Sequence, residues 1–229
     1  MINHRCEKET CDIIKHLHKN GFMSDGIFSA VSIRDSQTQI IYMSPRLDDN
    51  FKLKSWGYLR PEDIVAVDMG GNSLKEYSPL PPLELSVHLS IYRDRPSMNS
   101  IMHIHPEHVS AFSAVKKDMH PVMVEDVKTM IGGENGIVRC APFTPYCSEA
   151  FTASVMTALS PDKKAIFLQA NGAICIGEDT EEAYSMCTIL ERQAQMEIYA
   201  TSLGRVNYID IDMVIDETIR PIKKNHNQH

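Results

Sequence analysis

Apolar positions along this chain switch repeatedly between helical and strand spacing, and the switches outline the fold. Residues 7–20 carry Cys11, Ile14, Leu17 and His18 on one helical stripe, and Gly21 stops the run. Residues 27–34 alternate as a strand and pair with 39–43 across an Asp35-Ser36-Gln37 turn. A polar, irregular loop is predicted over 44–58. A turn at Arg60-Pro61-Glu62-Asp63 and a short buried strand over 64–68 follow, the strand ended by Gly70-Gly71. Residues 79–82 form a proline-stiffened connector. A helix over 83–94 turns Leu85, Leu89 and Tyr92 inward and sets Glu84 and His88 on one face.

The second half repeats the mixture. A strand over 99–105 ends at Pro106, and a helix over 106–115 has proline in its first turn. A strand over 137–140 and a helix over 148–159 come next. Strands over 165–169 and 173–176 hinge at Asn171-Gly172. A long helix over 180–203 carries Ala183, Met186, Cys187, Leu190, Ala194, Glu197 and Ile198 at helical spacing, with acidic residues at its positive end. Strands and helices mix without strict alternation, which predicts one layered α/β domain over 1–218 and a flexible tail over 219–229. No GxGxxG opens a helix after Gly70-Gly71, so a dinucleotide fold is excluded.

Composition narrows the function classes. The chain has 229 residues, 43% hydrophobic and 23% charged, with a net charge of −7. That balance, without a basic run, argues against a nucleic-acid surface. No export signal and no uncharged membrane-length stretch is found, which predicts a cytoplasmic protein with its six cysteines reduced. No CxxC occurs; a Cys140/Cys147 metal pair is the one cysteine site the spacing allows. The 13 methionines need only core filling to explain them.

The candidate chemistry lies in His103-Ile104-His105-Pro106. Residues two apart on a strand face one way, so the two imidazoles can share a cation, and neutral imidazole suits zinc, iron, copper or nickel. An isolated His-x-His is equally compatible with a surface pair at a sheet end. The surrounding segments decide between these: Val31-Ser32-Ile33-Arg34-Asp35, Met43-Ser44-Pro45, Arg60-Pro61-Glu62-Asp63-Ile64, Pro82-Leu83-Glu84 with His88, the His pair, and Leu168 to Gly177 followed by Glu181-Glu182-Ala183.

In that order they resemble the class II aldolase/adducin family, the fold of fuculose- and rhamnulose-phosphate aldolases and ribulose-phosphate 4-epimerase. The resemblance implies a three-layer αβα domain around a mixed, largely antiparallel sheet. It implies a homotetramer with sites at subunit interfaces, a small-molecule substrate and a divalent metal, zinc by likeness to the family. His103 and His105 match two of the three metal ligands, and Glu84 matches the catalytic acid/base. Ser29, Ser44 and Arg46 fall at substrate-binding positions, and Arg46 can meet a carboxylate as a bidentate fork. The implied activity is a metal-dependent carbon–carbon lyase, of aldolase or decarboxylase type, on a small hydroxy- or keto-substrate.

The chain departs from the family pattern in three places. Asn171 stands where the third histidine is expected. Either Asn171 ligates weakly, or His88, His108 or Glu84 substitutes, or metal binding is lost. An amide oxygen is tolerated better by Mn²⁺, Fe²⁺ or Mg²⁺ than by zinc. Ser29-Ala30 replaces a Gly-Asn that holds phosphate in sugar-phosphate relatives. Pro82-Leu83 replaces hydroxyl residues beside Glu84, which looks more like the aromatic-carboxylate decarboxylase branch. A sugar-phosphate aldolase or epimerase with a rebuilt phosphate site and a non-catalytic adducin-like module are the alternatives. Of the remaining residues, His88 reads as a packed helix histidine and His108 as an outer or surface one. Glu125 and Asp126 read as solvated loop carboxylates. Tyr208 lies where aldolases of the family use a C-terminal tyrosine.

Overall fold

Seven strands order as β3-β2-β1-β4-β7-β6-β5 in one sheet, in a computed structural model that describes residues 2–47, 55–76, 78–124, 126, 131–146 and 148–211. They are β1 Val31–Arg34, β2 Ile41–Met43, β3 Val65–Val67, β4 Ser100–Ile104, β5 Cys140–Ala141, β6 Ala165–Leu168 and β7 Ala173–Gly177. All neighbours pair antiparallel except β5 and β6, so the sheet is mixed and largely antiparallel, as expected.

Five described helices cover the sheet: α1 His4–Lys19, α2 Leu85–Asp94, α3 Glu107–Ala114, α4 Glu149–Leu159 and α5 Thr180–Leu203. Strand alternation sends side chains to two separate cores. On one face Cys11, Ile14 and Leu17 of α1 join Val109 and Phe112 of α3, and Ala183, Cys187 and Leu190 of α5. On the other, Val87 and Ile91 of α2 and Phe151 and Val155 of α4 pack on Ile101, Ile166, Leu168 and Ile174. These two cores make the three layers. Helix starts are capped by polar side chains: Asn3, Ser148 and Asp179 accept main-chain N–H bonds at the first turns of α1, α4 and α5.

Four sequence expectations change. The strand predicted over 27–34 begins only at Val31; Ile27 and Phe28 lie outside it, 42% and 58% exposed, because Gly26 at φ +77° turns the chain before pairing starts. The loop predicted over 44–58 contains a helical turn at Trp56–Tyr58 that buries Trp56, while 48–54 fall outside the described residues. The strand over 137–140 reduces to Cys140–Ala141, with Val138 making a single bridge to Met119. The helix over 83–94 starts two residues late, so Glu84 is its cap residue. The 219–229 tail, Glu125 and Cys147 lie outside the described residues. No described helix is long and apolar enough to cross a membrane.

Candidate functional site

The sheet parity that builds the second core also aims the histidines. Ile101, His103 and His105 share one face of the β4 line, the face covered by α2 and α4. Antiparallel pairing sets His103 opposite Ile174 and Ile104 opposite Ala173, which brings the β6–β7 turn, with Asn171, over the strand end. The two imidazole centroids are 4.5 Å apart. That turn is tight: Gly172 sits at φ +67°, and an added Cβ would lie 2.1 Å from the Ile104 carbonyl oxygen and 2.8 Å from the His105 ring.

Glu84 comes from the other layer. As cap residue of α2 its carboxylate makes no bond to the helix N-terminus. It turns into the sheet instead, Oε1 lying 2.9 Å from His103 Nδ1, with both side chains buried. Burial pushes the Glu84 carboxyl up, but the His103 hydrogen bond and charge, the Tyr146 hydroxyl and His88 outweigh it and hold it at about 2. The other His103 nitrogen, Nε2, faces the main-chain oxygen of Asn171 at 2.8 Å. His105 Nε2 faces the Asn171 side-chain oxygen at 3.1 Å, and its Nδ1 lies 3.1 Å from Ser29 Oγ. Burial, with His103 as a like-charged neighbour, lowers His105 to about 4, so the ring is neutral at pH 7.

Asn171 is therefore brought together with His103, His105 and Glu84, and it touches both rings. Both N···O contacts are hydrogen bonds in this arrangement, and among the described residues no three His, Cys, Asp or Glu side chains converge to hold an ion. By donor type, however, the group suits a divalent ion of the zinc–manganese range: two imidazoles, one an uncharged ring, an ionised carboxylate and an amide oxygen.

The other candidate residues separate from this centre to different degrees. Ser29 orients His105, and Arg46 lines a cavity beside Glu84 with its Nε donating to the Pro81 carbonyl at 3.0 Å. Ser44 is fully buried, its hydroxyl accepting the Val31 N–H, and it lines neither cavity beside the site. His88 is a packed helix residue: Nδ1 bonds Ser32 Oγ at 2.7 Å, and burial lowers it to about 4. His108 pairs with Glu191 at 2.6 Å, and Glu191 also accepts the first N–H groups of α3. Tyr208 donates to Glu197 at 2.8 Å. Asp126 corrects the expectation of a solvated carboxylate: it is 6% exposed, and its Oδ2 accepts the Val122 and Met123 N–H groups.

Three residues near the site carry no motif and were missed. Ser32 and Tyr92 anchor His88, Ser32 Oγ lying 2.8 Å from the tyrosine oxygen. Tyr146 reaches Glu84 from the segment before α4. The alternation in β1 signals that Ser32 is inward; nothing local signals Tyr146.

The comparisons agree with this arrangement. Residues 8–198 match the family model described as Class II Aldolase and Adducin N-terminal domain. An L-fuculose phosphate aldolase of Methanococcus maripaludis is 31% identical over 175 residues, spanning 76% of this chain and 86% of that protein. Decarboxylase NovR of Streptomyces niveus is 22% identical over 214 residues, spanning 87% and 71%. Among solved structures, an L-fuculose 1-phosphate aldolase superposes with a TM-score of 0.81 at 18% identity, covering 95% of this chain and 98% of that one. With the family model running over most of its length and the same layered sheet beneath its histidine pair, this chain belongs to the class II aldolase and adducin N-terminal domain family.

Proposed function

We propose that the protein is a metal-dependent carbon–carbon lyase, of aldolase or decarboxylase type, acting on a small hydroxy- or keto-substrate. The observation that carries the reading is the buried Glu84–His103 pair beside His105 and Asn171, an ionised carboxylate kept out of water against two imidazoles. An unpaired buried carboxylate would cost several kcal/mol, and a chain with no use for the charge gains nothing by keeping it.

His103, His105 and Asn171 would hold the ion, with zinc, Mn²⁺, Fe²⁺ or Mg²⁺ as candidates. The ion's contribution is Lewis-acid polarisation of a substrate oxygen. Glu84 moves the proton on its carboxylate. Held at about 2 it rests ionised; because burial alone raises it, loosening of the His103 contact when substrate enters restores a useful base. Ser29 and the Asn171 carbonyl fix the outer nitrogens of the two rings and so their orientation. By family likeness the assembly is a homotetramer with sites between subunits.

Metal analysis of chelator-free protein and melting curves with added Mn²⁺, Zn²⁺ or Fe²⁺ provide the test. A stoichiometric ion or a raised Tm is expected; neither being seen would sink the reading. Glu84→Gln should cut turnover by about 10²-fold or more while metal content is retained. Carbon dioxide release from hydroxy-carboxylates, set against aldehyde release from sugar phosphates, separates the two lyase types. The M. maripaludis relative favours a sugar-phosphate substrate with a rebuilt phosphate site as the second reading. Asn171 in the third-ligand position favours the non-catalytic module, which full metal loss with an intact fold would support.

A further inference from the structure

Two cavities open on either side of Phe28 and meet the site from opposite flanks. One, of about 210 Å³, runs between Phe28, Pro45, Trp56 and Leu83 and reaches Glu84 and Ser29. The other, of about 290 Å³, is walled by Phe28, Phe143, Tyr146, Phe151 and Leu168 and reaches Asn171. No Asp, Glu, Lys, Arg or His is among the described residues lining the second cavity. Its aromatic side chains form a run: Phe28 and Tyr146 centroids are 6.3 Å apart, and those of Tyr146 and Phe151 are 5.1 Å apart. Phe143 is 69% exposed and Phe28 58% exposed, so two large rings stand open to solvent at the mouth.

From this we infer that the substrate of the lyase site carries an aromatic ring, seated in the Phe28–Phe143–Tyr146–Phe151 cavity, and no phosphate; the inference rests on the reading of Glu84 as the reacting centre. Ring faces and edges already spaced for offset or edge-on contact give a flat guest more than its buried area alone. A phosphate dianion finds the opposite conditions. Arg46 is the one cation among the described residues lining either cavity, and it shares its cavity with the ionised Glu84. Pro81 and Pro82, leading into α2, have no N–H to offer an oxyanion, and Leu83 has no hydroxyl. One cation suits one carboxylate, so a ring-bearing carboxylate fits both cavities at once: ring beside Tyr146, carboxylate toward Arg46.

Calorimetric titration of the full chain, in its Glu84→Gln form so that turnover does not interfere, tests this with and without Mn²⁺. The probes are 4-hydroxybenzoate, glycolate and dihydroxyacetone phosphate. The aromatic acid should bind tightest, and Phe143→Ala should weaken it by about threefold to tenfold while leaving glycolate unchanged. Phe143 is exposed, so the variant should keep the parent's melting temperature; Phe143→Tyr should restore binding. Tighter binding of dihydroxyacetone phosphate, or an aromatic affinity indifferent to Phe143→Ala, overturns the inference and leaves the lyase reading standing. No binding of 4-hydroxybenzoate in either metal state also overturns it. Aromatic binding by Phe143, combined with no turnover of any hydroxy-carboxylate by the unaltered protein, supports the inference and removes the lyase reading.

Discussion

Asn171 accepts from both imidazoles, through its main-chain oxygen to His103 and its side-chain oxygen to His105. Only the second of these depends on residue type. Replacing Asn171 by His puts a third nitrogen in place of the amide oxygen and leaves the carbonyl contact intact. Groups that merely orient a metal ligand are worth roughly 10–100-fold in affinity, so Asn171→His should tighten zinc by at least about tenfold in a competitive titration. Unchanged affinity would place residue 171 outside the ion's coordination.

His88 makes a pH prediction of its own. Its folded value is about 4 against an ordinary 6.5, because burial disfavours the charged ring and His103 adds to the effect, against Glu84. Between those values the unfolded chain binds the proton and the folded chain does not. Stability is therefore full above pH 6.5 and lost as pH falls toward 4, with a slope of up to about 1.4 kcal/mol per pH unit. Urea unfolding at stepped pH should show that loss, and His88→Gln should flatten this part of the curve. At this scale Glu84, His103, His105 and Asn171 were legible, because a two-residue spacing and the order of segments identify them. Tyr146 was not, since its link to Glu84 spans 62 positions of chain and depends on where α4 docks.

Among the elements, the β6–β7 hairpin has the narrowest tolerance. Gly172 combines a left-handed backbone with a contact that no Cβ can share. Gly172→Ala should cost at least about 2 kcal/mol by chemical denaturation and displace the Asn171 oxygens from both rings. The long helix α5 was read to its residue limits because Asp179 caps it and its inner stripe repeats at helical spacing. Edges of strands were read poorly. Hydrophobic alternation continues through Ile27 and Phe28, but a strand ends where its partner ends, and the partner is distant in sequence. The same two residues, left outside the sheet, wall the substrate cavities.

For the whole molecule, the homotetramer is the prediction to check, and light scattering after gel filtration should give about four times the 25.9 kDa chain mass. A clean monomer would count against sites shared between subunits. The sequence by itself determined the alternation of elements, the layered α/β class, the histidine pair facing one way and the carboxylate four residues before His88. Periodicity and capping are local properties, and a chain carries them wherever it folds. Only the tertiary structure decided which sheet face the histidines share with α2 and α4, that Asn171 bonds both rings, and that the cavities beside them are aromatic. Those are contacts across tens of residues, fixed by strand order and register, and no local pattern encodes them.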